Sequence, residues 1–401
     1  MEPGIIILLG IIALVLALVW EHHHKKRVLA AWTQVAERLG LTVHGKPESM
    51  SGEVDGHAVF VRTFTTGSGK NRRRWTEVTC TPRPSIDAQI GADGFFRRVL
   101  DLDDVEVGDP AFDRALRVRG ADADLLAVLD EGTRDAVRSA VGLGWTFDRG
   151  TWKRKVSGYA TSELDSMIER AVSLGRRFAM PASERPARLR QRATSDPFPK
   201  IRRRALELLV PHAAGGETRA ALATAVDDPD PGVRLVAALA LGDVTRVAPL
   251  VQERDDAVAL AALAALAERF PDHPASAAAL DALRDAAPRR AWQVRARLLD
   301  ALAQVRRPWA EAHAIEALGD EEDDVRLAAA RALGQVGTIA RAVPALVPHR
   351  DKFLGGAVKD AARDAILAIQ ARAGSPDAGR LAVVDEVAAG QLSLAAAEEE
   401  A

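Results

Sequence analysis

In the C-terminal half of the chain, apolar side chains recur with a helical period, and the whole pattern then repeats. Residues 228–243, DPDPGVRLVAALALGD, are its cleanest copy. Val233, Val236, Ala237, Ala240 and Leu241 fall at i, i+3, i+4, i+7 and i+8, one stripe of an α-helix. Leu235 and Leu239 add a second apolar side, which predicts neighbours on more than one face. Pro231 and Gly232 open the helix where a missing N–H costs little, and Gly242 follows its last apolar turn.

The same frame fits Ile201, Val258, Val294, Val325 and Val358 as origins. Four residues on from each origin, in chain order, stand Ala205, Ala237, Ala262, Leu298, Ala329 and Ala362. Eight on stand Leu209, Leu241, Leu266, Leu302, Leu333 and Ile366, and one on stand Arg202, Arg234, Ala259, Arg295, Arg326 and Lys359. Successive origins lie 32, 25, 36, 31 and 33 residues apart, a period that marks a solenoid. Shorter apolar segments at 217–226, 275–286 and 309–318 lie between them, so each repeat reads as a helix pair. One pair cannot bury its apolar face alone; stacking on the next does so.

Upstream the period changes. Residues 41–44, 52–54 and 58–64 read as strands, with Asp55–Gly56 a two-residue hairpin turn. After a polar loop at 65–74, residues 75–82 continue the sheet. Residues 105–108 and 115–119 are expected to flank a turn at Asp109–Pro110, and 125–129 and 133–141 to be helices. Residues 145–147 and 152–156 form a hairpin around Arg149–Gly150. Ser162 and Asp165 have the spacing of a capping box opening a helix over 163–178. Strands followed by helices predict a small α+β domain.

The N-terminus is apolar without periodicity. Twelve residues between Ile5 and Trp20 are Ile, Leu or Val, and none is charged. At roughly 0.3–0.6 kcal/mol each, insertion into a bilayer is favoured by about 4–7 kcal/mol. As a helix, residues 4–20 span about 25 Å. No basic residue precedes the run and no small-residue cleavage site follows it, so an uncleaved anchor is expected. The basic flank Lys25–Lys26–Arg27 places the bulk of the chain in the cytoplasm. Val28, Trp32, Val35 and Leu39 then mark an amphipathic helix ending at Gly40.

The predicted protein is mostly α: an N-terminal transmembrane helix, a small α+β domain and a C-terminal α-solenoid. Residues 1–27 are the anchor and its basic flank, and 28–180 a juxtamembrane helix with the α+β domain. Residues 181–374 are the solenoid, and 375–401 an acidic tail expected to be disordered.

The segments DPDPGVRLVAALALGD and DEEDDVRLAAARALGQVG (residues 320–337) resemble HEAT repeats of the short phycobilisome-lyase-like type. The resemblance covers roughly residues 182–373. It implies a ladder in which an aspartate before the second helix and the arginine after its first valine pair along the stack. The matching positions are Asp196 with Arg202, Asp228 with Arg234, and Asp320 with Arg326. The copy at Val258 lacks the arginine and the copy at Val294 lacks the aspartate, which interrupts the ladder there.

Charge and candidate chemistry narrow the function. A formal net charge of −2 gives no global pull toward nucleic acid, and Asp196, Asp228 and Asp230 break up the Arg202–Arg203–Arg204 cluster. Cys80 is the lone cysteine, so no intrachain disulfide is possible. Gly67–Ser68–Gly69–Lys70 resembles part of a phosphate-binding loop. Phe64 stands where that pattern needs glycine, however, and Asn71 where it needs Ser or Thr. Lys70, Arg72, Arg73 and Arg74 remain as a candidate basic contact loop for acidic lipid headgroups or an acidic partner, against the plainer reading of a solvated hairpin tip. The histidines are scattered without HExxH or CxxC spacing, and His22–His23–His24 beside two lysines reads as an interfacial flank. No catalytic, cofactor-binding or metal-binding residue is expected, and neither a nucleic acid nor a small-molecule substrate.

The leading expectation is a membrane-tethered scaffold holding a protein partner on the solenoid face, with no catalytic activity. Two alternatives stand beside it. One is chromophore-lyase-like chemistry, which the resemblance implies. The other is a structural or regulatory role in which the repeats hold the α+β domain.

Overall fold

A single 37-residue helix, α1 (Pro3–Leu39), joins the apolar N-terminal run to the amphipathic segment. In the computed structural model, residues 3–45, 48–92, 104–350 and 356–373 are described. The chain divides into two compact units, Met1–Ala221 and Leu222–Ala401. Val28, Trp32 and Ala36, four residues apart, form the buried stripe of α1, and Trp32 Nε1 donates to the Tyr159 carbonyl at 3.2 Å. Gly40, with φ +69°, ends the helix in a conformation that favours glycine. Among the described residues no helix is long and apolar enough to cross a membrane. The side chains of residues 3–14, 17 and 18, which make up most of the expected span, lie outside the described residues.

The first unit continues through β1 (Thr42–Gly45), β2 (Glu48–Val54), β3 (His57–Thr66), β4 (Arg73–Thr81) and β5 (Ala88–Gly91). Next come α2 (Pro110–Ala115), β6 (Arg117–Gly120), α3 (Asp122–Val128) and α4 (Glu131–Gly142), then β7 (Trp145–Asp148), β8 (Thr151–Ser157) and α5 (Leu164–Phe178). The strands form one antiparallel sheet in the order β1-β2-β3-β4-β8-β7-β5-β6. Both expected hairpin turns form. Asp55–Gly56 has φ of 51° and 78°, and Arg149–Gly150 has 48° and 76°. Left-handed residues at both positions match the strand twist. Helix α5 packs Met167, Ile168, Ala171 and Phe178 into the core shared with Val61, Val78, Phe147 and Trp152 of the sheet. The Phe147, Trp152 and Phe178 rings meet at 4.7–5.1 Å. A Cβ at Gly175 would come within 3.0 Å of Cys80 Sγ, so glycine there lets α5 lie close on the sheet. Cys80 is fully buried, and burial pushes its thiol up to about 12.

The structure departs from the expectations for this unit in three places. Asp109 and Pro110 do not make a turn between strands. Asp109 caps α2, accepting from the Ala111 and Phe112 amides at 3.0 and 3.1 Å, while residues 105–108 form no strand. Strand β5 forms where no alternation marked it. The Ser162–Asp165 capping box is absent. Helix α5 starts at Leu164 after a helical Glu163 with no side-chain cap, and Asp165 pairs with Arg38 instead.

The framed helices are all present: α7 (Pro199–Leu209), α9 (Pro231–Leu241), α11 (Asp256–Arg269), α13 (Trp292–Gln304), α15 (Asp323–Val336) and α17 (Ala357–Arg372). Each residue four on from an origin is buried. Their companions are α6 (Arg185–Ser195), α8 (Gly216–Ala225), α10 (Val244–Val247), α12 (Pro274–Arg284), α14 (Ala310–Ala317) and α16 (Ala342–Arg350). The short α10 accounts for the 25-residue spacing between Val233 and Val258. Four helical residues and a following 3-10 turn, with Val244, Val247, Leu250 and Val251 buried, replace a full first helix. The pair α6–α7 belongs to the first unit. Residues 374–401, with the expected disordered tail, lie outside the described residues.

Candidate interaction surface of the repeat helices

Within each copy the ladder residues meet through the backbone. Arg202, Arg234 and Arg326 each donate to the backbone carbonyl of their own copy's aspartate, Arg202 to Asp196 at 2.8 Å and Arg234 to Asp228 at 2.9 Å. The aspartate carboxylates turn away. Asp196, Asp228 and Asp320 accept from the amide two residues on, at 3.1, 2.8 and 3.0 Å, fixing the turn into the second helix.

Side-chain pairing instead joins one copy to the next. Arg295 on α13 donates to both oxygens of Asp320, at 2.9 and 2.8 Å, while also holding the Arg290 carbonyl at 2.9 Å. Two parallel charge-assisted bonds fix orientation as well as distance. Arg234 on α9 reaches Glu253 at 2.5 Å, and Glu253 occupies the aspartate position of the next copy. In this geometry the missing arginine at Ala259 and the missing aspartate at Arg289 belong to the same rung. Arg290 fills that rung from the opposite side, donating to the Glu253 carbonyl and to Asp256 Oδ1 at 2.8 and 2.7 Å.

The first unit supplies a rung of its own. Arg134 on α4, 1% exposed, donates to Asp196 at 2.9 and 3.3 Å, to Asp109 at 3.0 Å and to the Leu129 carbonyl at 2.9 Å. Its donors meet two buried carboxylates, which satisfies charges that would be costly alone. Arg185 pairs with Asp124 at 2.6 Å and Arg204 with Asp122, so α6 and α7 are held against α3. Sequence offsets alone did not reveal Arg134, Glu253 or Arg290 as ladder members. Arg134 nevertheless carries the repeat frame: Thr133, Val137 and Val141 stand at origin, four on and eight on, and all are buried.

Helices α15 and α17 bound a groove of about 510 Å³. Leu327, Ala361, Ala365 and Ala368 give it apolar walls, and Arg331, Gln335, Asp360 and Asp364 its polar ones. Gly334 lets the helices close below it, since a Cβ there would meet Ala365 Cα at 3.2 Å. Arg372 caps the end of α15, donating to the Gly334 and Gly337 carbonyls at 2.6 Å each. On neighbouring α13, burial pushes the Asp300 carboxyl up, while Arg297 and Arg331 pull it down less strongly.

A second polar cluster joins α12 to the start of α14. Asp281 accepts from Arg307 at 2.9 Å and from Trp309 Nε1 at 2.7 Å, and the Arg307 bond comes first among the causes that hold its carboxyl low. All its polar members are partnered within the cluster, which marks it as structural.

In the candidate basic loop, Arg72 and Arg73 are exposed, whereas the Arg74 guanidinium lies over the Tyr159 ring at 4.6 Å. The Lys70 side chain lies outside the described residues. Among the described residues no group of histidine, cysteine or carboxylate side chains is arranged to hold a metal ion.

Residues 186–284 and 280–367 match the family of HEAT repeats. The C-terminal half of the chain is thus built of HEAT repeats. The match goes no finer, and the phycobilisome-lyase-like type receives no support from it. No curated protein matches the chain.

Proposed function

We propose that this chain is a membrane-tethered scaffold whose HEAT repeats hold a protein partner and which carries out no chemistry of its own. The groove between α15 and α17 carries this reading: apolar walls with charges of both signs suit a peptide helix presenting one apolar stripe. Stacked helix pairs also expose extended surfaces suited to such partners. Tethering through residues 4–20 is supported by the uncharged Ile/Leu/Val run, and the basic flank supports a cytoplasmic position for the rest.

The test is recovery of partners from membranes with the tagged full chain and with the groove variant Leu327→Glu/Ala368→Glu. Loss of a reproducible partner in the variant, with unchanged thermal unfolding, supports the scaffold. Partners retained at full yield contradict the assignment to this groove.

The Arg134 network favours a second reading for the first helix pair alone. Its buried ties to Asp109 and Asp196 suit a structural role in which α6 and α7 complete the α+β unit. Under that reading, Arg134→Met destabilises the unit without removing the partner from α15 and α17.

A further inference from the structure

Four side chains from three separate segments form a continuous stack beside α1. The Trp20 ring lies on His24 at 5.2 Å with an interplanar angle of 5°, and His24 meets Tyr159 at 5.6 Å. The Arg74 guanidinium then covers the Tyr159 ring at 4.6 Å. The stack ties the base of the β3–β4 hairpin to the end of the apolar run.

The direction of the hairpin follows. At one end of β3, the Asp55 turn shares a pocket with Arg38 and Leu39, the C-terminal end of α1. The opposite end of β3 pairs Thr65 with Arg74 and Thr66 with Arg73, beside Tyr159 and His24. The tip between Thr66 and Arg73 and the N-terminal half of α1 therefore leave the sheet at the same end. Lys26 and Arg27 on α1, and Arg72 and Arg73 on the hairpin, are among the cations exposed there. None of the four has an ion-pair partner among the described residues, although ion pairs are common elsewhere in this unit.

We infer that Lys26, Arg27, Arg72 and Arg73 form a collar that binds the phosphate headgroups of anionic lipids where α1 enters the bilayer. The inference rests on the anchor reading. Trp20 at the end of an apolar run is placed as interfacial aromatics are, and guanidinium groups hold phosphate oxygens through paired donors. Through Arg74, the aromatic stack fixes the hairpin against α1, so its cations face the surface that α1 enters. Each such cation contributes an attraction of roughly fivefold in binding, and this falls off within a Debye length.

The test uses the full chain in lipid nanodiscs, with Ser68→Cys in the hairpin tip carrying a polarity-sensitive fluorophore. Cys80 does not compete for the label, because it is buried and its thiol is pushed up to about 12. The collar predicts a blue shift in discs of phosphatidylcholine with phosphatidylglycerol. That shift is absent in phosphatidylcholine alone, in high salt, and in the Arg72→Ser/Arg73→Ser variant. Incorporation into both discs with identical emission overturns the collar and leaves the anchor standing. A shift that survives Arg72→Ser/Arg73→Ser also overturns the collar. Failure to incorporate into either disc overturns the anchor and the collar with it.

Discussion

Arg295 on α13 reaches past its own turn and closes on both carboxylate oxygens of Asp320, the residue that begins the turn into α15. Both side chains are about one-sixth exposed, so the pair is shielded without being sealed from water. It fixes the register between two successive repeats, a task that a pairing within one copy cannot perform.

A double-mutant cycle isolates that contact. Arg295→Ala and Asp320→Ala are each expected to cost about 1–3 kcal/mol in urea unfolding, with a coupling energy of about 1–2 kcal/mol. A coupling near zero would reduce the rung to an incidental surface pair.

The same rung carries a pH signature. Burial raises the Asp320 carboxyl, but the Arg295 hydrogen bond, the Glu322 amide and the charges of Arg295 and Arg326 outweigh it, leaving a net depression. A depressed folded pKa contributes stability that is complete above the ordinary carboxylate range and is lost as pH falls through the folded value. The coupling measured at neutral pH is therefore expected to vanish in acid, and one that grew on acidification would contradict the assignment.

Arg290 tests whether the inverted rung is equivalent to the others. Arg290→Ala leaves the Glu253 carbonyl and Asp256 without their guanidinium and is expected to cost about 1–3 kcal/mol. Adding Ala259→Arg restores an arginine at the frame position from which Arg202, Arg234 and Arg326 hold the corresponding carbonyl. The double variant is expected to recover most of the loss in thermal unfolding. No recovery would mean that Arg290 serves another purpose.

Arg134 is the most exacting position in the first unit. Arg134→Met leaves Asp109 and Asp196 buried without a cation and is expected to cost about 3–5 kcal/mol. Near-ultraviolet circular dichroism, which senses the buried Trp145 and Trp152, should lose its signal in the same denaturant range in which α6 and α7 unfold. Separate transitions would contradict the fusion of that helix pair with the sheet.

The repeated helices were legible because a buried stripe at three fixed offsets leaves little freedom, and Ala205, Ala262 and Ala329 are buried as the frame requires. Which residues form each rung was not. An arginine six residues after an aspartate fits a partner in its own copy or in the next, and the offset alone does not decide. The turn decides: once Asp320 accepts the Glu322 amide, its own arginine is left with the carbonyl, and its outer face is open to Arg295. Strand β5 was illegible for a different reason. Four residues ending in glycine carry too little alternation, and Ile90 is placed by pairing with Val118 and Phe147, which are distant in sequence. The α15–α17 groove was also hidden, since it depends on how closely Gly334 lets α17 approach.

Site-specific photo-crosslinking in cells tests the scaffold most directly. A photoreactive residue at Gln335, inside the groove, is predicted to give a discrete protein adduct from the membrane fraction. The same probe at Arg363, outside the groove on α17, should give none, and Leu327→Glu should abolish the Gln335 adduct. Equal labelling from both positions, or an adduct that survives Leu327→Glu, would contradict a partner held in this groove.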